Sequence, residues 1–136
     1  MNIEGTFDIV FLIGRIIASG FFVTAGINHF TNISTMSGYA QNKGTPAAKL
    51  AVGGSGVLLL LGGLSLLLGY HPTFGAALLV IFLLGVSFKI HDFWALKDPQ
   101  QRMAERVNFM KNMALLGFLL MTVAIPRPWP MSLGGR

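Results

Sequence analysis

The chain of 136 residues contains no cysteine. Disulfides, thiolate catalysis, cysteine-ligated iron–sulfur clusters and covalently attached haem are therefore excluded. Charge is scarce: 11% of residues are Asp, Glu, Lys or Arg, and only five are acidic. A soluble domain carries about 25% charged residues. With 53% apolar residues and a mean hydropathy of +0.65, so short a chain cannot cover a globular surface with polar groups. Lipid is the expected solvent. The net charge of +5 is scattered along connections without an aromatic-interleaved basic patch, so nucleic acid is not an expected partner. A basic leader with a small-residue cleavage site is also lacking at the N-terminus, and no removable signal peptide is expected.

What the chain does have is four apolar runs, at about Phe7–Ile27, Ala51–Gly69, Phe74–Ile90 and Phe109–Ile125. Each approaches the roughly 20 residues a helix needs to cross hydrocarbon. Runs this long and without alternation predict helices, because backbone groups in lipid must bond within their own segment. The expected fold is all-α: an integral membrane four-helix bundle, up-down-up-down, forming one domain over residues 1–136. The polar stretch from Asn28 to Lys49 is long for a bundle turn, and 34–42 within it could form an interfacial helix with Tyr39 at the headgroups.

Small residues mark the expected packing faces. Gly14, Ala18 and Ala25 do so in the first run. In the second, Ser55, Gly62 and Gly69 recur every seven residues, shadowed by Gly56 and Gly63. Gly53-Gly54-Ser55-Gly56 lacks the Lys-Ser/Thr pair of a phosphate loop and reads as packing. Tyr70-His71-Pro72 predicts a tight hairpin, and Asp98-Pro99 a helix start. The three prolines of Pro126-Arg127-Pro128-Trp129-Pro130 end the last helix, leaving Trp129 as an expected interface anchor.

Cations set an expected orientation. Arg127 and Arg136 lie on the side of the termini. Lys43, Lys49, Lys89, Lys97, Arg102, Arg106 and Lys111 lie on the other. Two against seven predicts both long connections in the cytoplasm of a bacterial cell with both termini outside its inner membrane. Arg15, embedded in the first run, either snorkels back toward Asp8 or faces the interior as a functional charge.

Lys89-Ile90-His91-Asp92-Phe93-Trp94 closes the third run. By depth, His29, Lys89, His91, Trp94, Lys111 and Asn112 should converge at one rim, making it the default ligand site. The neighbouring lysines would repel a metal cation, so no metal site is expected and haem is disfavoured. A cationic, aromatic pocket suits an anionic or carbonyl headgroup, such as a quinone or a lipid phosphate. No nucleophile–base pair is visible, so no catalytic residue is assigned and an accessory, non-catalytic role is expected. Ile27-Asn28-His29-Phe30 also echoes Ile90-His91-Asp92-Phe93, hinting at duplicated hairpins.

Four motifs in order resemble the DoxX family of small four-helix bacterial membrane proteins. They are Arg15 ahead of Phe22-x-x-x-Gly26-x-x-His29-Phe30; Gly62-Gly63-x-x-x-x-x-Gly69; His91-Asp92-Phe93-Trp94 with Asp98 after it; and Phe109-x-Lys111-Asn112-x-x-x-x-Gly117. The resemblance implies association with protein partners in membrane-bound oxidoreductase systems, such as terminal oxidase, thiosulfate:quinone oxidoreductase or oxidative-stress complexes. It equally leaves room for a structural subunit or a small lipid or small-molecule carrier. Many members carry an acid shortly before the Gly-Gly pair. Here that region reads Leu58-Leu59-Leu60-Leu61, so Arg15 lacks the charge partner the family pattern supplies.

Overall fold

A computed structural model describes residues 3–134. Among them are five α-helices, one 3-10 turn and no strand: α1 (Ile3–Thr31), α2 (Ile33–Asn42), α3 (Ala48–Leu68), α4 (Pro72–Lys89), the turn Phe93–Ala95, and α5 (Pro99–Val123). Three segments, Ile3–Thr31, Ala48–Leu68 and Pro72–Ala95, are long and apolar enough to cross a membrane. Helix α5 is not among them. It starts at Asp98-Pro99, well before the apolar run, and carries Arg102, Glu105, Arg106 and Lys111 in its first half.

Each helix end follows from local chemistry. The Asp98 side chain accepts a hydrogen bond from the Gln101 amide at 3.0 Å, an N-cap ahead of Pro99 at the first helical position. Helix α3 stops at Gly69 in the left-handed region (φ 62°). His71 also adopts positive φ there, and Pro72 opens α4, which closes a tight hairpin. The Ser65 hydroxyl donates across this turn to the carbonyl of Tyr70 at 2.7 Å.

Glycine decides how closely the helices approach. A Cβ on Gly62 would lie 2.5 Å from Leu79 of α4, and one on Gly63 2.9 Å from Val23 of α1. The adjacent pair thus serves two neighbours. In α1 the close-packed glycine is Gly26, whose Cβ would meet Leu60 at 2.8 Å, whereas Gly14 has nothing within 4 Å. This removes Gly14 from the expected Gly14–Ala18–Ala25 face, of which Ala25 does pack against the core. The buried positions are Arg15, Ser19, Phe22, Gly26 and His29, which follow the 3.6-residue period more closely. These approaches run in opposite chain directions, so α1 and α3 are antiparallel, as are α3 and α4.

The core comprises Phe22, Leu59, Leu66, Ala76, Leu79, Leu83, Leu119 and Trp129. Apolar side chains also cover the outside: Ile17 is 70% exposed and Leu50 77%. Such a surface is stable against acyl chains and not against water. Because overpacking costs about 1–3 kcal/mol, Gly62→Leu should lower the unfolding midpoint in detergent. Gly85→Leu, at a glycine with nothing within 4 Å, should leave it nearly unchanged. Equal midpoints would contradict the close α3–α4 approach.

Candidate functional site

Two polar arrangements are built at opposite ends of the helices. At the first, the connection after α4 brings His91 and Asp92 against the start of α5. His91 Nδ1 pairs with the Glu105 carboxylate, and Lys43 Nζ pairs with Asp92. The Tyr39 hydroxyl of α2 donates to the other oxygen of Glu105 at 3.2 Å. A carboxylate only accepts, so the His91 proton facing it sits on Nδ1. Tyr39, Glu105 and His91 form one continuous hydrogen-bonded chain, and Lys43 gives α2 a second anchor. Beside this chain Phe88, Phe93, Trp94 and Phe109 pack edge to face or tilted, with ring centroids 5.3–6.1 Å apart.

The six residues expected at one rim divide among different surroundings. His91 and Trp94 belong to this end. Exposed Lys89 points its Nζ toward Gly44, 3.7 Å from where a Cβ would stand. His29 is buried among α1, α3 and α4: its Nδ1 donates to the Ala25 carbonyl at 2.8 Å and its ring meets Phe82 at 5.7 Å. Asn112 is buried. Lys111 turns outward and sets its ammonium 5.5 Å from the Phe21 ring of α1. Two surface clefts, one beside Phe93 and Pro99 and one beside Tyr70 and Trp129, are lined by none of the six. Similar depth along a bundle does not make side chains face one another. The His29 and His91 echoes differ as well, since one lies inside a helix and the other beyond a helix end.

Glu105 and Lys43 are the residues that sequence reasoning missed, and Tyr39 is tied to a carboxylate rather than left to the headgroups. The sequence does carry a signal for Glu105. Glu105, Phe109, Asn112, Leu116 and Leu119 recur at offsets of four and three, one inward face of α5, and acids number only five.

At the other end, the question posed by Arg15 resolves. Its guanidinium is buried and forms no ion pair with Asp8. Nε donates to the Leu66 carbonyl at 3.2 Å, Nη2 to Leu67 at 2.7 Å and Met131 at 3.2 Å, and Nη1 to Pro130 at 2.6 Å. Phe11 and Trp129 flank the group at 5.9 and 5.8 Å. Trp129, only 4% exposed, is a core residue against Phe11 and not an interface anchor. The acid missing from α3 is replaced by carbonyl oxygens at the negative end of the α3 dipole.

Among the described residues no three His, Asp or Glu side chains gather as a metal-ligand set. The chemistry the first end does offer is hydrogen bonding and proton exchange. With this geometry in place, comparison with known proteins gives one result: the DoxX family model matches residues 10–92. The chain belongs to the DoxX family. No curated protein and no solved structure matches it. The DoxX match runs from α1 through His91-Asp92 and stops before α5, so Glu105 and the carbonyls of the tail lie beyond the matched stretch.

Two expectations follow. Arg15→Met should leave the Leu67 and Pro130 carbonyls buried and unpaired, at about 1–3 kcal/mol each. Hydrogen exchange of the Leu133 amide should rise with it. Arg15→Lys should rescue only in part, because one ammonium cannot span both sets of carbonyls. Full rescue would contradict the clamp.

At the opposite end, burial and then the Glu105 carboxylate raise the Tyr39 phenol above 10.0. A raised value means the folded chain holds that proton more tightly. Its contribution is therefore complete below pH 10 and lost as pH climbs through the raised value. With Tyr70→Phe as background, an ultraviolet titration should show Tyr39 ionising above 10 and Glu105→Gln lowering the midpoint. An unmoved midpoint would break the Tyr39–Glu105 link.

Proposed function

We propose that this DoxX-family membrane protein is an accessory subunit of a membrane redox complex, quinone-linked or serving oxidative-stress defence, with no catalysis of its own. In this reading the chain is a single four-span domain over residues 1–136, an up-down-up-down bundle in which α5 provides the fourth crossing. Both termini face out of the cytoplasm, and the α2 and α4–α5 connections face in. Arg136, part of the cation asymmetry behind that orientation, lies outside the described residues.

The observation that carries the proposal is the Tyr39–Glu105–His91 chain beside the four aromatic rings. A quinone head is a flat ring with two carbonyls, anchored in lipid by its tail. Rings stack or pack on such a head, and a doubly protonated His91, its Nδ1–H held by Glu105, can donate from Nε2 to a carbonyl. Reducing a quinone takes up protons together with electrons. That His91 can give its Nε2 proton to the reduced head while Nδ1–H stays on Glu105. Water at the rim can restore the proton, and the electrons would come from the partner subunit. Lys89 and Trp94 lie close enough in sequence to frame the same rim. His29, Lys111 and Asn112 would act from a distance, holding α1, α4 and α5 in place.

Native purification in mild detergent, with mass spectrometry of the proteins and small molecules retained, tests the reading. Redox subunits and a quinone are expected together. His91→Ala should reduce the quinone retained about tenfold, the worth of one charge-assisted hydrogen bond, and Tyr39→Phe, which removes a bond to Glu105, should reduce it less. Recovery of partner subunits with no quinone would leave a purely structural subunit, and recovery of neither would end the proposal. A reporter fused to the C-terminus that is active only in the cytoplasm would overturn the orientation.

A further inference from the structure

Arg102 and Arg106 stand one turn apart on the exposed side of α5. With Phe93, Pro99 and Met103 they line an open cleft of about 290 Å³. Both guanidinium groups lack an ion pair among the described residues, where the two pairs formed join Lys43 to Asp92 and His91 to Glu105. The nearest acid in sequence outside those pairs, Asp98, is engaged in capping the Gln101 amide. The floor of the cleft is apolar and continues outward. Met103 is 71% exposed, and Val107, Met110 and Met121 follow it along the same side of α5. One helix face therefore offers two bare cations at its start and a strip for hydrocarbon beyond them.

That combination describes the complement of an amphiphile with an anionic head. We propose that the Arg102–Arg106 cleft binds an acidic phospholipid, its phosphate held between the two guanidinium groups and an acyl chain lying along Met103, Val107 and Met110. Arginine's planar fork suits phosphate oxygens bidentately. A zwitterionic lipid carries the same phosphate but brings an ammonium group against the arginines, so the site discriminates in favour of net negative heads. The cleft shares Phe93 with the aromatic group but includes none of the hydrogen-bonded residues of the His91 chain. It rests on the placement of α5 in the membrane proposed above, but not on quinone binding or a redox role.

The test uses the full chain in nanodiscs and in delipidated detergent micelles. Native mass spectrometry should show phosphatidylglycerol retained in preference to phosphatidylcholine, a comparison that needs no variant. Arg102→Gln and Arg106→Gln should each weaken retention roughly fivefold and the double variant about 25-fold, at about 1 kcal/mol per basic residue near an anionic surface. Lys97→Gln removes the same charge outside the cleft and should change little. Equal loss with Lys97→Gln would reduce the effect to diffuse attraction and overturn the site. Protection by inorganic phosphate alone, matching that by the lipid, would overturn the lipid assignment. No preference between the two lipids would overturn both. Placement of α5 is read separately: the chain has no cysteine, so Gly117→Cys gives a single thiol whose resistance to a water-soluble maleimide reports burial in lipid.

Discussion

The Arg15 guanidinium solves a problem that the end of α3 would otherwise face alone. An α-helix leaves its last four carbonyls without intrahelical partners, and in hydrocarbon each such group costs several kcal/mol. Here all of them are met. Ser65 accepts from the Tyr70 amide at 3.0 Å, and Leu66 from both the Gly69 amide and Arg15. Leu67 accepts from Arg15, and Leu68 from the Leu133 amide at 2.8 Å. One cation of α1 and one stretch of the tail thus complete a helix that lies far from both in sequence. The need runs both ways. A buried guanidinium is tolerated only where oxygens surround it, and the tail carbonyls of Pro130 and Met131 supply the remainder. The Gly69 turn is part of the same arrangement, since a Cβ there would lie 2.5 Å from Ser132.

The opposite end is organised by different rules. Instead of one buried cation among carbonyls, it uses two ion pairs and a phenol to hold an amphipathic helix, α2, against the α4–α5 connection. Those paired side chains are 15–24% exposed, so solvent screens them and each pair contributes little to stability. Their value lies in fixing geometry near the rim. Three of the five acids, Asp92, Asp98 and Glu105, sit here. Asp92 pairs with Lys43, Asp98 caps α5, and Glu105 bridges His91 to Tyr39.

How much of this is legible in the sequence depends on the range of the interaction. Apolar run length points to the helices, and local stop signals point to the hairpin at Gly69–Pro72 and the cap at Asp98. The close approach at Gly62 and Gly63 follows from a spacing visible along one helix, although which neighbour each glycine meets does not. Long-range partners are out of reach. Arg15 lies 51 residues from Leu66 and 115 from Pro130, and backbone carbonyls carry no signature in side-chain chemistry. The convergence expected at the rim fails for a related reason. Residue count gives only an approximate depth and says nothing of helix rotation: Lys111, six residues along α5 from the Glu105 that holds His91, turns instead to Phe21 of α1. Trp129 escapes a sequence reading because a tail rich in proline looks like a departure from the fold, when it is the segment that returns to finish it.

The two ends together explain why the polar groups of a chain so poor in them are placed as they are. At the Arg15 end the guanidinium and the Leu133 amide both serve to close a helix, and Phe11 and Trp129 shut the cation off from its surroundings. The guanidinium and the carbonyls it meets are already engaged, and they cannot bind a ligand without first undoing the fold. At the α2 end the polar side chains contact one another rather than backbone, remain partly open, and leave Arg102 and Arg106 outside the network altogether. A group can leave a side-chain pair at small cost because water replaces its partner, whereas a carbonyl in hydrocarbon has no such substitute. Exchangeable interactions belong where exchange is easy. The α2 end therefore keeps its polar groups exchangeable, and the Arg15 end is what holds the helices still.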